Sequence, residues 1–168
     1  MNKILEQAQN IKNDIVEYRR TIHENPEVGD TLPKTKAYVI NKLREFGYEP
    51  TEICESGIVA TIEGPKPGKT FLLRADMDAL PMEEAPNCDF ASKNGAMHSC
   101  GHDMHTAMLL GAAKLLKQNQ DQIEGTVKLV FQPDEEGFTG AKKMIEAGVL
   151  ENPKVDAAMA MHVNSGTP

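Results

Sequence analysis

Apolar residues recur at alternating spacings of four and three through the start of the chain: Ile4, Ala8, Ile11, Ile15, Tyr18 and Ile22. That spacing is the stripe of an amphipathic helix, with the charged positions on its other faces. The helix is expected to stop before Asn25-Pro26, because proline biases the residue ahead of it away from helical backbone. A second helix is predicted from Pro33, a favoured first-turn residue, through Val39, Leu43 and Phe46. Gly47 then stands where a C-terminal cap belongs.

Two β-like runs follow, Gly57–Glu63 and residues 70–75, separated by the turn-rich Gly64-Pro65-Lys66-Pro67-Gly68-Lys69. A polar, proline-containing loop over residues 81–96 leads to a helix at 103–117 that is apolar on most sides, hence deeply buried. Met104 and Met108 fall at helical spacing and read as core. Residues 126–131 are nearly all apolar, as in a strand covered on both faces. A short helix at 140–147, closed by Gly148, and a last apolar strand at 156–163 complete the pattern. Strands alternating with helices indicate an α/β layered domain with a partly parallel sheet.

The chain is 168 residues long and 40% apolar, enough for one domain with a real core. With 18 Lys and Arg against 25 Asp and Glu, its net charge is −7. That balance argues against a nucleic-acid partner, which requires clustered positive charge. No apolar run approaches the roughly 18–20 residues of a membrane helix, and the N-terminus lacks the apolar core of a signal peptide. Three cysteines do not suggest a disulfide framework, so a cytoplasmic location is expected.

Candidate chemistry gathers in four places. The densest is Met97-His98-Ser99-Cys100-Gly101-His102-Asp103-Met104-His105, where a thiol, imidazoles and a carboxylate suit zinc or another late first-row metal. A structural turn with surface histidines is the competing reading. Next is Phe131-Gln-Pro-Asp134-Glu135-Glu136-Gly137, whose crowded carboxylates either form a solvated acidic loop or divide metal ligation from proton transfer. Asp76 and Asp78 end one strand, where open α/β sheets place their crevices, and His162 ends another. Each cluster ends an apolar strand or opens the helix after one, so all four are expected to converge at one sheet edge. Cys54 and Cys88 read as incidental, and His23 as a positive charge at a helix C-terminus.

These residues carry a family pattern. In order along the chain stand Arg19-Arg20-x-x-His23-x-x-Pro26-Glu27, Leu73-Arg-Ala-Asp76-Met-Asp78-Ala-Leu-Pro81 and His98-x-Cys100-Gly-His102-Asp103-x-His105. Phe131-Gln-Pro-x-Glu135-Glu136-Gly137 and Met161-His162-Val163 follow. The chain resembles the metal-dependent amidohydrolases related to aminoacylase, hippurate hydrolase and the plant auxin-conjugate hydrolases. The resemblance implies a three-layer α/β/α metallopeptidase-like catalytic domain with a mixed sheet, here incomplete. It implies two divalent metal ions (zinc, manganese, cobalt or nickel) held by Cys100, His102, Glu136 and His162. Glu135 takes the place of the general base acting on a water between the metals, and Asp78 that of an orienting aspartate. Asp76 occupies a position where related peptidases keep a ligating His. Asp103 and His105 are candidates to accept from the second nitrogen of a metal-bound imidazole.

The implied reaction is cleavage of the amide bond of N-acyl amino acids or related conjugates. Members of the family run to roughly twice this length, with a lid-like domain and a return segment that brings a further His. Residues 1–168 are therefore expected to form the N-terminal part of the catalytic domain. That part alone is expected to bind metal weakly and to turn over poorly or not at all, and a homodimer is expected only of the full-length form. The alternative is a non-catalytic module that binds metal or docks a partner; an intact Glu135 favours the enzyme.

Overall fold

The computed structural model describes residues 3–85, 88–164 and 166. The loop expected around Pro86 and Asn87 and the end of the chain at Ser165, Thr167 and Pro168 lie outside the described residues. The first apolar stripe folds as two helices, α1 (Lys3–Asn10) and α2 (Lys12–His23), where one was predicted. Ile11 interrupts them at φ −96° and ψ 10°, yet its carbonyl still accepts from Ile15 N at 3.1 Å, so the stripe continues across the joint. α3 (Pro33–Glu45) starts at the predicted proline, and Gly47 closes it in the left-handed region at φ 87°. Glu27 caps its start, its carboxylate accepting from Lys34 N at 3.1 Å and Thr35 N at 2.8 Å, where the helix dipole favours an anion.

The strands are β1 (Thr51–Ile53), β2 (Gly57–Glu63), β3 (Lys66–Asp76), β4 (Glu124–Gln132) and β5 (Ala157–Ala160). β3 starts inside the proline-rich turn and recovers register only at Thr70. The sheet runs β1-β2-β4-β3-β5 and is mixed: β1 and β2 pair antiparallel to their neighbours, while β3 lies parallel to both β4 and β5. Helix α4 (His102–Gln118) makes the crossover from β3 to β4, and α5 (Gly140–Glu146) follows β4.

Alternation sorts the side chains into three layers. Ile58, Ala60, Ile62, Ala75, Leu129 and Phe131 face α2, α3 and α4, while Leu72 and Val130 pack with Met144 and Val149 on the α5 side. Gly111, mid-helix in α4, is the close-approach point: a Cβ there would stand 2.8 Å from Ile15 Cδ1, so the propensity loss is offset by helix packing. Lys128 is the one charged residue within β4's buried run, and its ammonium donates to the carbonyls of Val149, Glu151 and Pro153 at 2.7–3.0 Å.

Two expectations change. The last strand is shorter than the 156–163 predicted: β5 stops at Ala160, short of His162, and lies at the sheet edge with all four residues exposed, paired only to β3. Met104 is exposed, since the inward face of α4 is taken by Leu109, Leu110 and Ala113. No helix among the described residues is long and apolar enough to cross a membrane.

Candidate metal centre

The parallel strands β3, β4 and β5 end together, Asp76 opposite Gln132 and Arg74 opposite Ala160. Beyond those ends the chain brings in the residues with chemistry. Leu80 and Met97 exchange two backbone hydrogen bonds of 3.0 Å, which lays the Cys100–His102 segment beside Asp78. Gly101 caps the start of α4 at φ 85°, and a Cβ on it would collide with Val163 Cγ2, so both backbone angle and space demand glycine.

His102 is fully buried, and its Nδ1–H donates to the Asp78 carbonyl at 2.8 Å. In the neutral ring Nε2 then carries the lone pair, and it has no hydrogen-bond partner. It faces Glu135 Oε2 at 3.7 Å, Asp76 Oδ1 at 3.8 Å and Glu136 Oε1 at 3.9 Å. Those distances are too long for hydrogen bonds, and a lone pair set among carboxylates suits a shared cation.

Ligand atoms of Cys100, His102 and Glu136 all lie within 4.8 Å of one another, a thiol–imidazole–carboxylate set that fits a divalent metal. A hydrogen bond to Glu136, then burial and the acidic neighbours, push the Cys100 thiol up to about 11. A cation bound there would displace that proton. His102 is also raised: burial opposes its charge, but the Asp78 hydrogen bond and the charges of Asp76 and Asp78 outweigh it.

The three-acid run divides its work. Asp134 turns away at φ 52°, its carboxylate accepting from the Thr139 hydroxyl. Glu135 and Glu136 stay near His102, and the Asp78 carboxylate holds both by accepting their backbone N–H groups at 3.0 and 3.1 Å. One aspartate thus orients two acidic residues and an imidazole.

His162 is exposed, its ring centroid 6.4 Å from that of His102. Its Nδ1–H donates to the Val163 carbonyl at 2.6 Å, leaving Nε2 free to ligate. Cys100 and His162 line one cleft of about 620 Å³, together with Phe90, Met104 and, unexpectedly, Cys88. Neither Asp103 nor His105 accepts from a candidate ligand's ring, as the sequence suggested; backbone carbonyls fill that role.

Asp76, His102 and His105 form a second close grouping. Asp76, however, is engaged with His105 Nδ1 at 2.6 Å and Arg74 Nη1 at 2.8 Å. Burial raises the Asp76 pKa, but those partners and His102 hold it below the usual carboxylate range.

Sequence reasoning missed a neighbouring cluster. Asp103 Oδ2 accepts from Arg19 Nε at 2.6 Å and from His23 Nδ1 at 2.7 Å, while His23 Nε2 reaches Glu84 Oε1 at 2.8 Å. The available signal was the spacing of Arg19 and His23, four apart and so on one helix face. Nearby His98 is buried with neither ring nitrogen bonded, and burial lowers its pKa to about 4, keeping it neutral.

The family model described as peptidase family M20/M25/M40 matches residues 72–168. Thermostable carboxypeptidase 2 of Saccharolobus solfataricus is 47% identical over 173 aligned positions, covering 100% of this chain and 44% of that protein. The N-acyl-L-amino acid amidohydrolase of Geobacillus stearothermophilus is 42% identical, covering 91% and 42%. Among solved structures, a dinuclear metal-binding peptidase of family M20 from Bacillus subtilis superposes with a TM-score of 0.90 at 39% identity, over 95% of this chain and 45% of its own. The chain spans less than half the length of the relatives it matches. With the family model covering more than half of its residues, the chain belongs to the peptidase family M20/M25/M40.

Proposed function

We propose that the protein is a metal-dependent amidohydrolase that cleaves the amide bond of N-acyl amino acids, and that this chain is the N-terminal part of its catalytic domain. The observation that carries the reading is the buried, unpartnered His102 Nε2 set among Cys100, Glu135 and Glu136. The G. stearothermophilus amidohydrolase supports the substrate class, and the dinuclear B. subtilis peptidase supports a metal pair.

Cys100, His102, Glu136 and His162 would hold two divalent cations, which supply Lewis acidity and an acidified water. Glu135 acts as the base: its partly exposed carboxylate lies beside the cluster and, among the described residues, ion-pairs with no basic side chain except His102, so Oε2 is free to take a proton from water. The same oxygen returns that proton to the departing amine nitrogen. Asp78 keeps Glu135 and Glu136 in register through their backbone N–H groups.

The test is release of free amino acid from N-acetyl amino acids by the full-length protein loaded with zinc, manganese, cobalt or nickel. Glu135→Gln is expected to lose about 10²–10⁴-fold in kcat with metal content unchanged. Turnover of that variant at the wild-type rate would overturn the assignment.

A further inference from the structure

His105 belongs to a close grouping of candidate ligands, yet both its nitrogens are committed. Nδ1 stands 2.6 Å from Asp76 Oδ1, and the other Asp76 oxygen is 2.8 Å from Arg74 Nη1. The carboxylate accepts, so Nδ1 carries the ring proton. Nε2 is then a pure acceptor, and it takes the Val163 N–H at 2.9 Å. The imidazole thus connects β3, through the first turn of α4, to the segment that follows β5.

What it fastens is the backbone beside His162. The Val163 carbonyl accepts from His162 Nδ1 at 2.6 Å, and its side chain packs where Gly101 leaves room. The His105 ring also lies edge-on against the His162 ring, centroids 4.7 Å apart at 66°. His162 is exposed and sits past an edge strand, and its other ring neighbour among the described residues is His102, 6.4 Å between centroids.

We propose that His105 is a positioning residue that straps Val163 so that His162 presents Nε2 to the metal cluster, with Asp76 orienting His105 instead of binding metal. The strap rests on the reading of His162 as a ligand, and the experiment separates the two.

The measurement is ¹⁵N NMR of the imidazole nitrogens, metal-free and then titrated with zinc. His105 is expected to be protonated at Nδ1 and unmoved by zinc, while His162 Nε2 shifts to its metal-bound position. In His105→Ala, exchange of the Val163 amide should rise several-fold. Zinc affinity at His162 should fall about 10- to 100-fold while Cys100 and His102 still respond. His105→Gln, whose amide can donate to Asp76 and accept from Val163, should restore both.

A proton on His105 Nε2, or a zinc shift there, overturns the strap and needs no variant that might misfold. Val163 exchange unchanged in His105→Ala also overturns it. A wild-type His162 indifferent to zinc overturns instead the ligand reading, and with it the purpose of the strap.

Discussion

Two consecutive residues at the start of α4 enter opposite electrostatic environments. Asp103 points toward α2 and meets Arg19 and His23, with Glu84 completing a set of two cationic and two anionic groups. His102 points toward the strand ends and meets Asp76, Asp78, Glu135 and Glu136, with Arg74 as the guanidinium that ion-pairs there among the described residues. The first cluster is charge-balanced and joined by short hydrogen bonds, although Asp103 Oδ1 is left without a partner. The second is strongly negative and leaves His102 Nε2 unpartnered among carboxylates. Charge balance marks a fastening; a surplus of negative donors marks a place for a cation.

The largest expected effect breaks the fastening. Asp103→Ala leaves Arg19 and His23 facing one another with no anion between, and breaking a buried pair costs about 3–5 kcal/mol. Urea denaturation of the metal-free chain measures it. An unchanged midpoint would mean the cluster holds nothing together.

Cys100→Ser addresses the other side. Serine nearly keeps the volume but loses the thiolate, so zinc affinity should drop about 100-fold or more, with metal-free stability little changed. Calorimetric titration reads the first and denaturation the second. A large stability loss with zinc binding intact would reverse the roles assigned to the two clusters. Asp78→Asn is milder: one amide oxygen can keep only one of the two N–H groups of Glu135 and Glu136. Zinc affinity should fall about 10- to 100-fold, as for other groups that orient ligands.

Much of this was legible along the chain, for identifiable reasons. The helices and β2 announced themselves by apolar period, and Cys100, His102 and Glu136 by donor chemistry at the ends of apolar segments. The sheet order was hidden, because β4 inserts between β2 and β3 through long-range pairing that no local pattern encodes. Edge exposure of β5 was hidden too, since apolar composition does not say which neighbours a strand has. The roles of Asp103 and His105 required partners 80 and 58 residues away, His23 and Val163. Conversely, Asp134 looked equivalent to Glu135 and Glu136 until a left-handed backbone turned it away.

The subtlest prediction concerns pH. His23 has a carboxylate at each ring nitrogen, an arrangement that favours the imidazolium, in which both nitrogens donate. The hydrogen bond to Asp103 raises its pKa, against the cost of burial and with help from Glu84. A folded value above the unfolded one means that this stabilisation is complete below about pH 6.5, the unfolded value. It is then lost as pH rises through the raised folded value. Asp103 and Glu84 work in the opposite window: burial raises both, but their partners lower them further, so their share is lost as pH falls through the acid range. The wild-type urea midpoint should therefore decline as pH rises above about 6.5. His23→Gln, which cannot carry the charge, should flatten that limb while leaving zinc affinity at Cys100 and His102 in place. An alkaline decline that persists undiminished in His23→Gln would move its origin to the carboxylate-rich side of α4, and the division between a closed cluster and an open one would have to be redrawn.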